Sequence, residues 1–305
     1  MTDRRPILER LFLSPSERRL RAGWRLAVHG LLLLFLLILT TTPVTIAILM
    51  LGVVRPDLEV FDSTYLLVGS TVAAVPASVL ATWLARRFLD RRPFRSLGFS
   101  ITPRAGLDLA AGFLIAGIQI GAIYALELAT GFLRFEAWAW DSRPALGVAL
   151  PLVGWLLLYL AVAFYEELLF RGYYLQNITE GMGMIFGVGL SSAVFGLAHI
   201  TNPDASPAAA LGILGAGAFL AFGWVRTRQL WLPIGLHLGW NFFEGPVFGF
   251  PVSGTSSFRL IQQSTVGPTL ATGGPFGPEA GLVVLPALLL GGILVWLLTR
   301  GRYAT

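Results

Sequence analysis

The sequence predicts an all-α, polytopic membrane protein: a bundle of about eight transmembrane helices with both termini in the cytoplasm. Its 305 residues are 55% hydrophobic and only 13% charged, whereas soluble globular domains have roughly 25% charged residues. Mean hydropathy is +0.72. The basic residues fall in short clusters between long apolar runs. Together these observations exclude an ordinary soluble protein.

Eight apolar stretches approach the length of about 20 residues that a helix needs to cross a hydrocarbon core about 30 Å thick. The first is far longer than a signal-peptide core and no cleavage pattern follows it, so we expect it to remain as a membrane helix. The fifth is short, and polar residues interrupt the seventh. The stretches are Leu26–Val54, Tyr65–Leu84, Leu107–Leu126, Pro144–Phe164, Met184–Ile200, Pro207–Val225, Leu230–Phe250 and Leu282–Leu298.

Arginine placement predicts the topology. Most arginines lie in the amino-terminal tail, in the connection after the second stretch, or near other connections on that same side, and only Arg55, Arg134, Arg143 and Arg259 lie opposite. Cytoplasmic loops carry the excess of basic residues. We therefore expect a multi-pass protein of the cytoplasmic (inner) membrane. The net charge of +5 does not indicate a nucleic-acid partner, because the arginines do not form one exposed basic face.

The domain organisation is predicted to be simple. Residues 1–22 mix apolar residues with arginines, which fits either a basic amphipathic segment on the lipid surface or a disordered tail. Residues 23–305 are expected to form a single transmembrane helical domain. Residues 251–279 are rich in Gly, Ser, Thr and Pro, which indicates a long non-cytoplasmic loop. This loop either covers the mouth of a site or is a plain linker.

Three polar clusters interrupt the apolar stretches and need a physical reason. A charged side chain at the centre of a membrane helix costs about 2.5–3.5 kcal/mol on insertion scales. The clusters read EELLFR over Glu166–Arg171, FGLAH over Phe195–His199, and HLGWN over His237–Asn241.

Within the first cluster, Glu166 and Glu167 are expected to have different roles. Adjacent helical residues point about 100° apart, so the two carboxylates should not face the same partner. Glu167 and Arg171 have the i,i+4 spacing of an intrahelical ion pair, which predicts a mainly structural role for both. Glu166 is left as the unpaired carboxylate, free to act as a base.

The other two clusters place hydrogen-bonding groups at a matching depth. His237 and Asn241 lie one turn apart on one helical face, and Phe195 is expected to pack beneath the imidazole of His199. At 1.5 Å per residue, Glu166 and His199 rise about 20 and 25 Å from their shared turn, and His237 and Asn241 rise about 12 and 18 Å from theirs. Such a layer predicts a site within the membrane, although interhelical hydrogen bonds that only fix packing have the same pattern.

The remaining candidates are weaker. His29 and Glu127 are expected to be structural or boundary residues, and Glu244 could line the pocket because it follows Asn241 on a similar face. Cysteine is absent, which excludes disulfides, a thiolate nucleophile and sulfur-ligated metal.

The three motifs, in this order, resemble those of the CaaX-prenyl-protease and bacteriocin-processing (CPBP) family of intramembrane glutamic endopeptidases. That family's pattern is EExxxR, then FxxxH, then His followed four positions later by Asn or Asp. The similarity covers a core of about residues 144–250.

The resemblance implies peptide-bond hydrolysis without a covalent intermediate. Glu166 and His199 would hold and deprotonate a water molecule, and His237 and Asn241 would donate hydrogen bonds to the oxyanion. The substrate would be a hydrophobic or lipidated peptide, cleaved close to its carboxy terminus. No cofactor is expected. A Zn²⁺ ion held by Glu166, His199 and His237 is the alternative, since two histidines and a carboxylate can bind zinc.

Two other classes of function stay open on the sequence. A non-catalytic membrane scaffold or regulator, or a bacteriocin self-immunity protein, could use the same fold, although a scaffold does not need an unpaired Glu166. A transporter also has its site at mid-membrane, but no repeated pair of interrupted helices is evident.

Overall fold

The computed structural model describes residues 6–14, 17, 19–50 and 63–301. Helices make up 75% of it, and the fold is nearly all-α, as predicted. The α-helices are α1 (Ile7–Phe12), α2 (Ala22–Met50), α3 (Ser63–Leu84), α4 (Pro103–Ala129), α5 (Ala145–Glu167), α6 (Leu175–Met182), α7 (Met184–Ala198), α8 (Pro207–Thr227), α9 (Trp231–Phe242), α10 (Thr269–Thr272) and α11 (Val284–Thr299).

Five of the described helical segments are long and apolar enough to cross a membrane, by length and composition. They are Ala22–Ala47, Leu67–Leu89, Pro103–Ala129, Ala145–Met182 and Pro207–Thr227. Many of their leucine and phenylalanine side chains point outward; Leu31 and Phe35 on α2 are 69% and 62% exposed, and Leu146 on α5 is 70% exposed. Apolar side chains in contact with the surroundings are what a lipid environment favours. The protein is therefore an integral, multi-pass membrane protein.

Each of the eight predicted stretches corresponds to a helix, but not every helix meets the length of a full span. Helices α7 and α11 are shorter apolar helices, and α9 has only 12 residues. The fourth stretch is longer than predicted, because α5 continues through a π-helix, Leu168–Tyr174, into α6. The end of the first stretch at Val54, the first five residues and the last four lie outside the described residues.

The all-α prediction did not include one short two-stranded sheet. Strand β1 (Leu133–Trp138) pairs antiparallel with β2 (Ile261–Thr265). Strand β2 belongs to residues 251–283, which contain the predicted 251–279 loop and extend to the start of α11; we call them the 251–283 loop. The strand pair joins this loop to the connection after α4, so the loop is more structured than a plain linker. The two strands begin 128 positions apart in the sequence, at Leu133 and Ile261, which explains why no local sequence pattern indicates their pairing.

Helix α9 is the centre of the bundle, and glycines set its position against α4. Every residue from Leu232 to Asn241 is buried. A Cβ atom on Gly112 of α4 would lie 2.5 Å from the carbonyl oxygen of Leu232, and one on Gly239 of α9 would lie 2.5 Å from that of Phe113. Small residues allow helix backbones to approach this closely. The glycines therefore fix the helix that carries HLGWN.

Replacing Gly235 should test this packing. A Cβ there would collide with the backbone of Leu109 on α4, and backbone atoms cannot move aside as a flexible side chain can. We expect Gly235→Ala to destabilise the protein by about 1–3 kcal/mol, measured by thermal unfolding in detergent. Gly154→Ala on α5 is the matched control, since nothing lies within 4 Å of its Cβ position. Equal stability of the two variants would contradict the role given to the α4–α9 contact.

Several arginines that indicate topology also form a buried ion network. Asp90, after α3, accepts hydrogen bonds from Arg25 of α2 and from Arg86, both at 2.7 Å. Glu180 of α6 accepts from Arg25 at 2.7 Å and from Arg19 at 2.6 Å. The network ties three helices together at the end of the bundle where the amino-terminal tail enters.

Candidate active site

The three motifs come together around one cavity of about 560 Å³. Glu166 lies in the last turn of α5, His199 caps the carboxyl end of α7, and His237 and Asn241 lie one turn apart on α9. All four side chains line this cavity, whose walls are otherwise mostly apolar, including Leu169, Phe170, Ile213, Phe219, Leu220 and Leu236. The four residues singled out from the sequence therefore line one cavity.

The two oxygens of the Glu166 carboxylate differ in their hydrogen bonding. The Tyr165 hydroxyl donates a hydrogen bond to Oε1 at 3.1 Å. Oε2 is buried and has no hydrogen-bond partner within the described part of the chain; Nε2 of His237 lies 3.7 Å from it. A carboxylate oxygen in this state is suited to accept a proton.

Glu167 connects the ion pair to the cavity. Its Oε1 accepts from Nη1 of Arg171 at 2.8 Å, in the i,i+4 pair that the spacing predicts, and also from Nδ1 of His237 at 2.9 Å. Arg171 further donates to the carbonyl of Gly217 on α8 at 2.9 Å. Glu167 therefore holds the His237 ring as well as stabilising the fold.

The expectation that Glu166 and Glu167 cannot face the same partner is wrong. His237 contacts Glu167 through Nδ1 and approaches Glu166 through Nε2. The imidazole ring lies between two side chains that point about 100° apart, and its two nitrogens lie on different edges. One flat ring can therefore meet both carboxylates.

His199 is held by the residue one turn before it. Its Nδ1 lies 2.8 Å from the carbonyl oxygen of Phe195, and the two rings are 4.8 Å apart, so Phe195 packs against the imidazole as expected. A carbonyl oxygen only accepts, so Nδ1 carries the hydrogen, and in the neutral ring Nε2 keeps its lone pair. The guanidinium of Arg171 lies over the Phe195 ring, 4.3 Å from its centroid. Phe195 thus links the first two motifs.

Sequence reasoning missed several polar residues of the cavity. They are Tyr159, Tyr165, Asn202, Ser253, Thr255 and Glu279. Glu279 belongs to the 251–283 loop and is 4% exposed; burial raises the pKa of its carboxyl, against the hydrogen bonds from Ser253. In the sequence, Glu279 is distinguished only as a glutamate within a Gly- and Pro-rich loop. This signal is too weak to identify a cavity residue.

The donor set does not fit a metal centre. Among residues 6–14, 17, 19–50 and 63–301, no group of three or more His, Cys, Asp or Glu side chains is arranged to hold a metal ion. The alternative zinc ligands Glu166, His199 and His237 line the same cavity without meeting this requirement.

Three titratable residues set aside in the sequence take structural positions. His29 is fully buried, lies 3.2 Å from the Thr82 hydroxyl and stacks on Tyr173, in agreement with a structural role. Glu127 is buried near the end of α4. Glu244 is fully buried and is not among the residues that line the cavity.

Comparison with known proteins agrees with the motifs. Residues 148–243 match the family model described as Rce1-like, type II CAAX prenyl endopeptidase. This segment is similar to that family. It contains all three motifs and extends from α5 to the residue after α9, and the Rce1-like family is a protease family. The resemblance drawn from the motifs is confirmed. No curated protein matches the chain.

Proposed function

We propose that the protein is an intramembrane endopeptidase that hydrolyses a peptide bond with a water molecule activated by Glu166 and His199. The observation that carries this proposal is the convergence of Glu166, His199, His237 and Asn241 on one largely apolar cavity. Glu127 and Glu244 also have buried carboxylate oxygens without a hydrogen-bond partner among the described residues, but neither lines the cavity. What favours hydrolysis over a scaffold is that the unpartnered oxygen of Glu166 lies in the same cavity as two histidines and an asparagine.

Glu166 is the proposed base. Its free Oε2 accepts the proton of the attacking water, while the Tyr165 hydroxyl keeps the carboxylate in place through Oε1. The Nε2 lone pair of His199 accepts the second hydrogen of the water and orients its oxygen toward the scissile carbonyl. The proton taken by Glu166 then passes to the leaving amine, so the enzyme ends in its starting state.

His237 and Asn241 are the proposed oxyanion donors. Because Nδ1 of His237 already donates to Glu167, the ring donates through Nε2 only when both nitrogens are protonated. The carboxylates of Glu166 and Glu167 flank this ring and favour its cationic form. Asn241, one turn later on α9, supplies a neutral amide N–H. Each such donor is typically worth about 2.7–4 kcal/mol in the transition state.

The finer features of the chain follow the same proposal. All eight apolar stretches lie within the membrane, both termini are cytoplasmic, and the membrane is the cytoplasmic one. Residues 1–22 form a basic amphipathic segment and residues 23–305 one transmembrane domain with its core at about 144–250. The substrate is a hydrophobic or lipidated peptide cleaved near its carboxy terminus. The apolar cavity walls suit such a chain.

The test is cleavage by the purified protein of a panel of membrane-peptide substrates, with and without a chelator. We expect the wild type to cleave at the same rate in both conditions, and His199→Ala to lose about 10²–10⁴-fold in kcat/KM. Activity abolished by the chelator and restored by zinc would replace this mechanism by a metal-dependent one. No cleavage by the wild type, together with binding of a membrane partner, would support a scaffold instead.

A further inference from the structure

His199 is the member of the proposed catalytic quartet that no helix interior holds. Glu166, His237 and Asn241 lie within helices, whereas His199 caps α7 with a backbone φ of −95° and ψ of 1°. The chain turns immediately after it, and the amide of Asn202 donates to the carbonyl of His199 at 3.1 Å. The position of the imidazole therefore depends on what fixes this turn.

The turn is fixed by the 251–283 loop. The Asn202 side-chain amide donates to the backbone carbonyl of Ser253 at 3.0 Å. Next to it, Gly254 has a φ of +80°, and a Cβ at this position would collide with the carbonyl of Pro203. The loop and the turn are thus in direct backbone contact, which only glycine allows here.

Glu279 holds Ser253 in turn. Its Oε2 accepts from the Ser253 amide at 2.9 Å and from the Ser253 hydroxyl at 2.5 Å. Ser253 has a φ of +46°, an unfavourable conformation for a residue with a side chain, which persists only where surrounding contacts enforce it. Glu279 is itself anchored, because Gly212 of α8 packs against its backbone carbonyl. We call Asn202, Ser253 and Glu279 the strap.

We propose that the strap positions His199 for catalysis, with Glu279 and Asn202 as positioning residues, so that the 251–283 loop is part of the catalytic apparatus. This inference rests on the proposed function. The strap runs in series from α8 through Glu279 and Ser253 to Asn202 and the turn that carries His199. Asn202, Ser253 and Glu279 all line the cavity as well. Glu279 and Asn202 are connected through Ser253, which hydrogen-bonds to both side chains.

Because Glu279 and Asn202 act on His199 through the same chain of contacts, the strap predicts how the kcat values of single and double variants are related. We expect Asn202→Ala and Glu279→Ala each to lower kcat about 10–100-fold with KM changed by less than about threefold, because water activation suffers and substrate binding does not. The double variant should be no slower than the slower single variant, since either change already releases the turn. Glu279→Gln, which keeps an acceptor oxygen for Ser253, should retain more kcat than Glu279→Ala. Glu136→Gln, an exposed carboxylate on β1, is the control and should match the wild type.

The outcomes separate the strap from the proposed function. The strap is overturned if the wild type cleaves and Glu166→Gln does not, while Asn202→Ala and Glu279→Ala keep the wild-type kcat. Losses that multiply in the double variant, or that appear in KM alone, also overturn it. If an alanine variant does not remain folded in thermal unfolding, the kcat of the isosteric Asn202→Asp decides, because its carboxylate cannot donate a hydrogen bond to the Ser253 carbonyl: no loss contradicts the strap. A wild type without cleavage removes the proposed function, and the strap with it.

Discussion

Glu166→Gln is expected to reduce kcat/KM about 10²–10⁴-fold, the range that general acid–base groups contribute. The amide keeps the shape of the side chain and can still accept the hydrogen bond from Tyr165, but it cannot take a proton from water. Among the described residues Oε2 of Glu166 has no hydrogen-bond partner, so the substitution breaks no hydrogen bond at this oxygen. The melting temperature in detergent should therefore stay at or above that of the wild type.

Glu127→Gln is the matched control for that substitution. Glu127 is also a buried glutamate on a long membrane helix, but it does not line the cavity. We expect this variant to cleave the same peptide at the wild-type rate. Cleavage retained by Glu166→Gln, or lost equally in both variants, would contradict the assignment of Glu166 as the base.

The sequence was a good guide to the parts of this molecule that depend on local patterns. The lengths of the apolar stretches indicate the helices. The i,i+4 spacings of Glu167–Arg171 and of His237–Asn241 predict that the two residues of each pair lie one turn apart on the same helical face. These inferences succeed because helical periodicity alone places such residues. The motifs then identify which polar side chains to expect in the cavity.

Contacts between segments that are distant in the chain could not be predicted from the sequence. The pairing of β1 with β2, the position of Glu279 and the hydrogen bond from Asn202 to Ser253 all depend on how the 251–283 loop returns to the bundle. The error about Glu166 and Glu167 has the same origin: spacing on one helix gives the directions of two side chains, but not that the ring of His237 from another helix lies between them. The role of the glycines between α4 and α9 likewise becomes visible only when the backbone of the facing helix is in place.

Glu167→Ala should combine a large loss of stability with a loss of activity. Arg171 is 1% exposed, and without Glu167 the Gly217 carbonyl is the one hydrogen-bonded partner that its guanidinium keeps among the described residues. Removing one member of a buried ion pair typically costs about 3–5 kcal/mol. Thermal unfolding in detergent measures this loss, and the kcat of the folded fraction measures the effect on His237, whose Nδ1 no longer has an acceptor.

The double variant Glu167→Leu, Arg171→Met separates the two roles of the pair. Replacing both charges by apolar groups removes the uncompensated cation, so most of the stability should return. Activity should not return, because His237 still lacks the carboxylate that orients Nδ1 and favours the doubly protonated ring; we expect kcat to stay about 10–100-fold below the wild type. A double variant with wild-type kcat would show that Glu167 and Arg171 serve the fold alone. If the double variant instead regains the stability of the wild type but not its kcat, Glu167 acts on catalysis by orienting His237, the proposed oxyanion donor.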